Sequence, residues 1–365
     1  MRAGGSRALR VDLDRRASYQ ALDPRGLLDF AIGLPEQFAH AACIGKAFRP
    51  PASLRNSSAI VLSGMGGSAV AGDLLARLCE HHLAVPFLVN RDYRLPEFVN
   101  RETLFIASSH SGNTEETLAA TALALRRRAR VVCITTGGTL RSFARRHRLP
   151  LISIPQTDPP MPPRSALGYS LIPLVYLFAS LGLYPGAEGQ MREAIALTTG
   201  LRDQLHPDVP ARRNRAKQLA LSLHGKIPWV QGTVGIMAAA AYRWRCQFNE
   251  NSKVLAYSSE YPELNHNEVI GWELAPSLAR CVSVITLQEA KPRPRIRARV
   301  EITREMMARK APVHPIAAEG RSPLAQLLWT IYLGDFTSLY LAFLNGADPG
   351  AITAIDELKR RLAAL

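Results

Sequence analysis

The chain has 365 residues, 47% of them hydrophobic and 21% charged, and a formal net charge of +15. This length accommodates two domains of ordinary size, and the composition is that of a globular protein rather than a disordered or fibrous one. No apolar run reads as a membrane span, and no apolar core follows the Arg-rich residues 1–20 as a secretory signal requires, so the expected compartment is the cytoplasm.

In chain order, residues 1–57 read as a helical arm, on the partly helical spacing of Leu27, Leu28, Phe30, Ala31 and Leu34. Strand and helix patterns then alternate. Strands are expected at 59–62, 86–89, 103–107, 130–135 and 151–154, with helical spacings at Val70, Leu74, Leu75, Leu78 and at Leu118, Ala122, Leu125. Short apolar strands separated by helices predict a parallel sheet covered on both faces, with ligands bound beyond the carboxyl ends of its strands. Prolines in 155–163 break the pattern. Helices are expected at 165–183 and 211–224, a strand at 227–231, a helix opened at 232–235 and running to about Phe248, a strand at 280–287, and helices at 300–309 and 323–344. The expected fold is α/β with two lobes, each a parallel sheet between helix layers. The boundaries are an arm (1–57), a first lobe (58–204), a second lobe (205–345) and a C-terminal helix (346–365).

Two loops of the first lobe stand out. GMGGSAVAGDLL (64–75) and SSHSGNTEETL (108–118) each follow an apolar strand and open a helix. Small-residue loops at helix N-termini aim backbone N–H groups and hydroxyls at one point, where the helix dipole favours an anion. The first loop lacks the Gly-Lys-Ser/Thr ending of a P-loop, and Ala69 replaces the third glycine of a strict dinucleotide fingerprint. The looser form with alanine fits, so that loop alone leaves a dinucleotide open. The hydroxyl-rich second loop favours one phosphorylated small molecule, for which a positively charged protein also supplies an attractive field. The basic runs at 126–128, 145–148, 212–213 and 360–361 fall at expected helix ends. Without a reader fold or interleaved aromatics they predict no nucleic-acid partner. Cys43, Cys79, Cys133, Cys246 and Cys281 are scattered without a C-x-x-C pair, predicting buried free thiols.

In the second lobe, FNENSK (248–253) ends a helix and is followed by ELNHNEVIGWE (263–273). Glu250 and His266 form a minimal acid–base pair in unusually polar surroundings. Residues 258–272 read as a polar loop without helical period. No cluster with metal-ligand spacing is evident, so neither metal nor cofactor is expected.

The paired loops resemble the sugar isomerase (SIS) fold. With PPRSALGY (162–169), NENSK, ELNHNE-x-x-GWE and the terminal IDELKRRL (355–362), in this order, the chain from about residue 58 is similar to the bifunctional phosphoglucose/phosphomannose isomerase family. The resemblance implies interconversion of glucose 6-phosphate, and of mannose 6-phosphate, with fructose 6-phosphate through a cis-enediol(ate). It implies that Gly67, Ser68, Ser109, Ser111 and Thr114 bind the substrate phosphate and that Glu250 moves the proton between carbons 1 and 2. Arg164 is implied to steady the enediolate. His266 assists ring opening from the partner subunit of a homodimer, and Lys359 is a second ring-opening or oxyanion group. His110 stands where the family often has an aromatic such as tyrosine. The family links a threonine near the terminal lysine to acceptance of the mannose epimer, and Thr353 is the nearby threonine; with Asp356 it resembles a helix-capping pair. The alternatives are a non-catalytic SIS sugar-phosphate sensor, which carries a helix-turn-helix that this arm does not show, and an amide-transferring hexosamine synthase, which needs an N-terminal cysteine where this chain has Met1-Arg2.

Overall fold

A computed structural model describes residues 11–273, 276–362 and 364. The arm supplies α1 (Leu27–Ile32) and α2 (Leu34–Ala47). The chain continues through β1 (Ala59–Ser63), α3 (Gly66–Cys79), β2 (Phe87–Asn90), β3 (Thr103–Ser108), α4 (Glu115–Arg126), β4 (Arg130–Thr135), α5 (Gly138–Arg146) and β5 (Leu151–Ser153). Next come α6 (Leu167–Ser180), α7 (Ala187–Leu205) and α8 (Arg215–Leu223). The second lobe then runs β6 (Ile227–Thr233), α9 (Ile236–Glu250), β7 (Tyr257–Tyr261), α10 (Pro276–Ala279), β8 (Val282–Gln288), α11 (Pro294–Ala308) and β9 (Val313–Ala317). It closes with α12 (Pro323–Leu344) and α13 (Thr353–Leu362).

The strands form two sheets, ordered β2-β1-β3-β4-β5 and β7-β6-β8-β9, and every ladder is parallel. The pleat sorts the apolar residues by parity. Ile60, Leu62, Leu104 and Ile106 cluster with Phe38 of α2, Leu74 of α3 and Leu171 of α6. Val61, Phe105 and Cys133 cluster with Ala120 of α4 and Leu140 of α5 on the other face. In the second sheet Val230, Ile285 and Ile316 join the first of these clusters through α9 and α12, while Val284 packs with Trp272 and Met307 beneath the opposite face. One apolar core thus runs through both lobes, and the expected α/β class with two helix-flanked parallel sheets is what the chain adopts.

The differences from expectation have local causes. Residues 257–261 are not loop but the edge strand β7, whose YSSEY sequence is polar because an edge strand leaves one side to solvent. The strand β9 carries Pro315, tolerated because it also lies at a sheet edge. No helix is expected over α7, whose glycines and threonines mask its period, yet it packs along α12. Only Cys79 and Cys133 are buried; Cys246 is half-buried and Cys43 and Cys281 are exposed, all free.

By length and composition α12 is apolar enough to cross a bilayer, contrary to the sequence expectation, but 94% of its apolar stretch is buried within the protein. It packs against α7, α8 and α9. The polar residues of α12 are satisfied internally: Thr330 and Thr337 donate to the carbonyls of Gln326 and Leu333, and Asp335 pairs with Arg243 of α9 at 2.8 Å.

The arm is fastened to the second lobe. Lys217 is 0% exposed, and its Nζ donates to the Pro207 carbonyl at 2.7 Å and to Asp14 at 3.2 Å. Asp14 also accepts from the Ala211 amide at 2.7 Å, and the Tyr19 ring stacks on Phe343 with centroids 4.7 Å apart.

Removing one member of a buried pair leaves the other charge uncompensated. Asp335→Ala is therefore expected to cost about 3–5 kcal/mol in denaturant unfolding, whereas Asp335→Leu combined with Arg243→Met costs less, since both charges leave together.

Candidate active site

Both phosphate-loop candidates lie at the carboxyl edge of the first sheet, at the N-termini of α3 and α4. Glycines bring three segments into contact there. A Cβ on Gly64 would lie 2.9 Å from the Ser108 carbonyl, and one on Gly67 would lie 2.9 Å from the Pro163 carbonyl. The buried Ser68 hydroxyl accepts from the His110 amide at 3.3 Å and so joins the first loop to the second. In the second loop the Ser109 hydroxyl lies 2.8 Å from that of Thr114 and accepts from the Gly112 amide at 3.0 Å. Gly112 has φ +73°, and an added Cβ there would overlap the Gly137 carbonyl. Ser111 is exposed and accepts from the Asn113 amide at 3.3 Å. Glu115 and Glu116 occupy the first turn of α4 and offset part of its dipole, so attraction for an anion rests on the hydroxyls, the amides and the neighbouring cations.

Those cations begin with Arg164, on a 3-10 turn (Pro163–Ser165) that follows the first sheet. Its side chain is 6% exposed. Its Nε donates to Asn251 Oδ1 at 2.8 Å, its Nη2 donates to the Pro349 carbonyl, and its Nη1 lies 3.5 Å from Glu250 Oε2. Burial pulls the pKa of Arg164 below its ordinary value, and the Glu250 carboxylate pushes it back up. Glu250 is the last residue of α9 and its side chain is 34% exposed, held by a cation on one side and open on the other.

A closed ring of hydrogen bonds positions this pair. Asn251 Nδ2 donates to the Ser338 hydroxyl at 2.9 Å, and that hydroxyl donates to the Asp335 carbonyl at 2.8 Å. Asp335 accepts from Arg243 and from Gln247, and Arg243 Nη2 returns to the Arg164 carbonyl at 3.1 Å. The readable signal for this ring is one carboxylate, Asp335, inside an otherwise apolar helix. Lys253, at φ +55°, donates to the Glu250 carbonyl and caps the end of α9. Nothing in the sequence points to Asp348, whose charge acts on both Arg164 and Lys253.

The single chain therefore brings together Gly67, Ser68, Ser109, Ser111, Thr114, Arg164 and Glu250. It does not bring His266 to them. The Val234 amide donates to the Tyr261 carbonyl, so the end of β7 sits at the start of α9, and the exposed His266 follows on a 3-10 turn (Glu263–His266). Glu250 is at the other end of α9, a 15-residue helix about 22 Å long. Lys359 is exposed on α13, which starts close to the Arg164–Pro349 contact. The Asp356 amide bonds to the Ile352 carbonyl, so Ile352, rather than Thr353, occupies the cap position. Among the described residues, no three His, Cys, Asp or Glu side chains are grouped to hold a metal ion.

Two parallel sheets in tandem, with hydroxyl-rich loops at the carboxyl edge of the first, define a double SIS protein. The SIS domain family matches residues 53–161, and the family described as bacterial phospho-glucose isomerase C-terminal SIS domain matches residues 212–362. The chain belongs to the bifunctional phosphoglucose/phosphomannose isomerase family. It is 39% identical over 93% of its length to 99% of the enzyme of that name from Caldicellulosiruptor bescii, and 35% identical over 84% of its length to 90% of the one from Thermoplasma acidophilum. Its fold is similar to the crystal structure of a glucose-6-phosphate isomerase like protein from Thermus thermophilus, with a TM-score of 0.60, 20% identity, and 94% and 99% of the two chains covered. The chain is thus an enzyme of the isomerase class, and the sensor alternative is not favoured.

His110 lies half-buried in the second loop, its amide bonded to Ser68 of the first, and burial lowers its pKa below the usual histidine value. The unfolded chain then binds a proton that the folded chain refuses, so this contribution to stability is present above about pH 6.5 and is lost as pH falls through the folded pKa. His110→Phe is expected to flatten that part of the stability-versus-pH curve, as read by thermal unfolding across this window.

Proposed function

We propose that the cleft between the Ser/Thr loops and the Arg164–Glu250 pair interconverts glucose 6-phosphate, and mannose 6-phosphate, with fructose 6-phosphate. The carrying observation is that pair, 3.5 Å apart, reached from Gly67 through its contact with Pro163. Aldose–ketose isomerisation removes a weakly acidic proton beside a carbonyl. A carboxylate is basic enough only where the developing oxyanion is stabilised in advance. In this reading Gly67, Ser68, Ser109, Ser111 and Thr114 hold the phosphate. Glu250 takes the proton from carbon 2 of the open-chain aldose and returns it to carbon 1, while the hydroxyl proton passes between the two oxygens. Arg164 stabilises the enediolate oxygen. Lys359 supplies a second cation near the reacting end, and no cofactor takes part. The arm (1–57), the lobes (58–204 and 205–345) and the C-terminal segment (346–365) then form one catalytic unit in the cytoplasm.

The purified protein is expected to convert fructose 6-phosphate to aldose, with both epimers scored. Glu250→Gln is expected to lower kcat by a factor on the order of 10²–10⁴ while leaving substrate binding intact. Near-normal turnover in that variant overturns the assignment.

His266 reaches the site in this proposal from a second copy. A two-fold axis that runs beside the chain, perpendicular to α9 and level with its middle, carries the His266 end of one chain to the Glu250 end of the other, and each chain lends the same residue. The exposed apolar residues Leu255 and Tyr257 near Glu250, and Ile355, Leu358 and Leu362 along one side of α13, support such an interface. Mixing Glu250→Gln protein with His266→Ala protein is expected to restore activity, because one site of each heterodimer carries no defect. Confirmed subunit exchange without activity rejects the cross-subunit role.

A further inference from the structure

Nothing in the sequence assigns a role to the arm, but the structure aims it at the reacting end of the site. Asp14 on Lys217 and Tyr19 on Phe343 fix its path. Asp23 then caps α1, accepting from the amides of Leu27 and Leu28 at 2.8 and 2.9 Å, and Gly26 makes the turn into α1 at φ +66°. Arg25 lies between these two fixed points. Its stem runs across Gly350, where an added Cβ would sit 2.8 Å from Arg25 Cδ and 3.2 Å from Cγ. Gly350 directly follows Pro349, whose carbonyl receives Arg164.

The guanidinium of Arg25 is exposed, and among the described residues it has no hydrogen-bond or ion-pair partner. Its charge is close enough to depress the pKa of Arg164, while Asp348 and Glu250 act in the opposite sense. The Asp348 carboxylate is engaged by the Gly350 amide at 2.6 Å. Arg25, Arg164 and Lys253 thus gather here with Glu250, Asp348 and Asp23 as the neighbouring carboxylates, and of the three cations Arg25 is the one whose donors are unused among the described residues. An exposed guanidinium with its donors free is available to an anion that arrives from solvent.

We infer that Arg25 is a further substrate-binding residue, an arginine brought by the N-terminal arm to the rim of the site to hold an oxygen of the anionic sugar phosphate. The inference rests on the reading of Arg164 and Glu250 as the reacting centre. It gives the arm a direct part in substrate capture, and it makes the fastening of Asp14 to Lys217 the means by which that arginine is held in register.

Arg25→Met tests it, because methionine keeps most of the stem packed on Gly350 and removes only the charge. KM for fructose 6-phosphate is expected to rise roughly tenfold, as for the loss of one charge-assisted hydrogen bond, with kcat changed by less than about twofold. The increase should shrink at high ionic strength, where the parent's electrostatic advantage is screened. Arg25→Lys is expected to recover part of the loss, and Arg15→Met, an exposed arm arginine away from the site, to match the parent. A parental KM for Arg25→Met at both ionic strengths overturns the inference, as does an equal effect from Arg15→Met. An active Glu250→Gln enzyme overturns the underlying site reading instead; an inactive one beside a normal Arg25→Met enzyme overturns only the role of Arg25.

Discussion

A guanidinium at Arg164 sits where little water reaches it, and the surrounding structure is organised around that cost. A buried charge is tolerated only when its donors are used and an opposite charge is near. Arg164 directs its donors to Asn251 and Pro349 and faces Glu250. The partners come from two parts of the chain, the end of α9 and the linker before α13, while Arg164 itself sits on the turn after the first sheet. The single cation thereby fixes the relative positions of the first lobe, the second lobe and the C-terminal segment. The Asn251–Ser338–Asp335–Arg243 ring then locks α9 to α12 behind it and returns to the carbonyl of Arg164 itself.

This arrangement separates two tasks between two lobes. The first lobe offers neutral donors on glycine-shaped loops, which suit a charged, non-reacting handle. The second offers a carboxylate with one face exposed, which suits proton movement. Gly67 joins the tasks, because only a residue without a side chain lets α3 touch the turn that carries Arg164. Catalytic geometry here follows from close backbone approach as much as from the reacting side chains.

How much of this was legible varied with the physics of each segment. The strands β1, β3, β4, β6 and β8 are apolar because both sheet faces are covered, and that pattern is readable along the chain. The edge strands β7 and β9 obey weaker constraints, and a polar YSSEY or a proline-containing VHPIA looks like loop. Gly67, Ser68, Ser109, Ser111, Thr114, Arg164 and Glu250 lie on turns and helix ends joined by short local contacts, and their motifs could be read because each motif spans its own turn or cap. His266 stays apart from Glu250 in the single chain, because the turn that carries it follows β7 at the opposite end of α9. Asp348 and Arg25 carry no motif at all; their importance arises only from where tertiary contacts place them.

The clasp between Asp14 and Lys217 also has a consequence for how the protein is made. The two residues are 203 positions apart, and the Phe343 ring on which Tyr19 rests emerges later still. During synthesis the arm leaves the ribosome long before Lys217 and Phe343 do, and finds neither partner until they emerge. The strands and helices of the first lobe can pair as they appear, through contacts of short sequence separation, while the arm must wait on contacts that close the longest loops in the fold. The arm, made early, is therefore among the last segments to reach its native place, and the end of the site beside Pro349 takes its final form only after α12 and the linker that follows it have emerged.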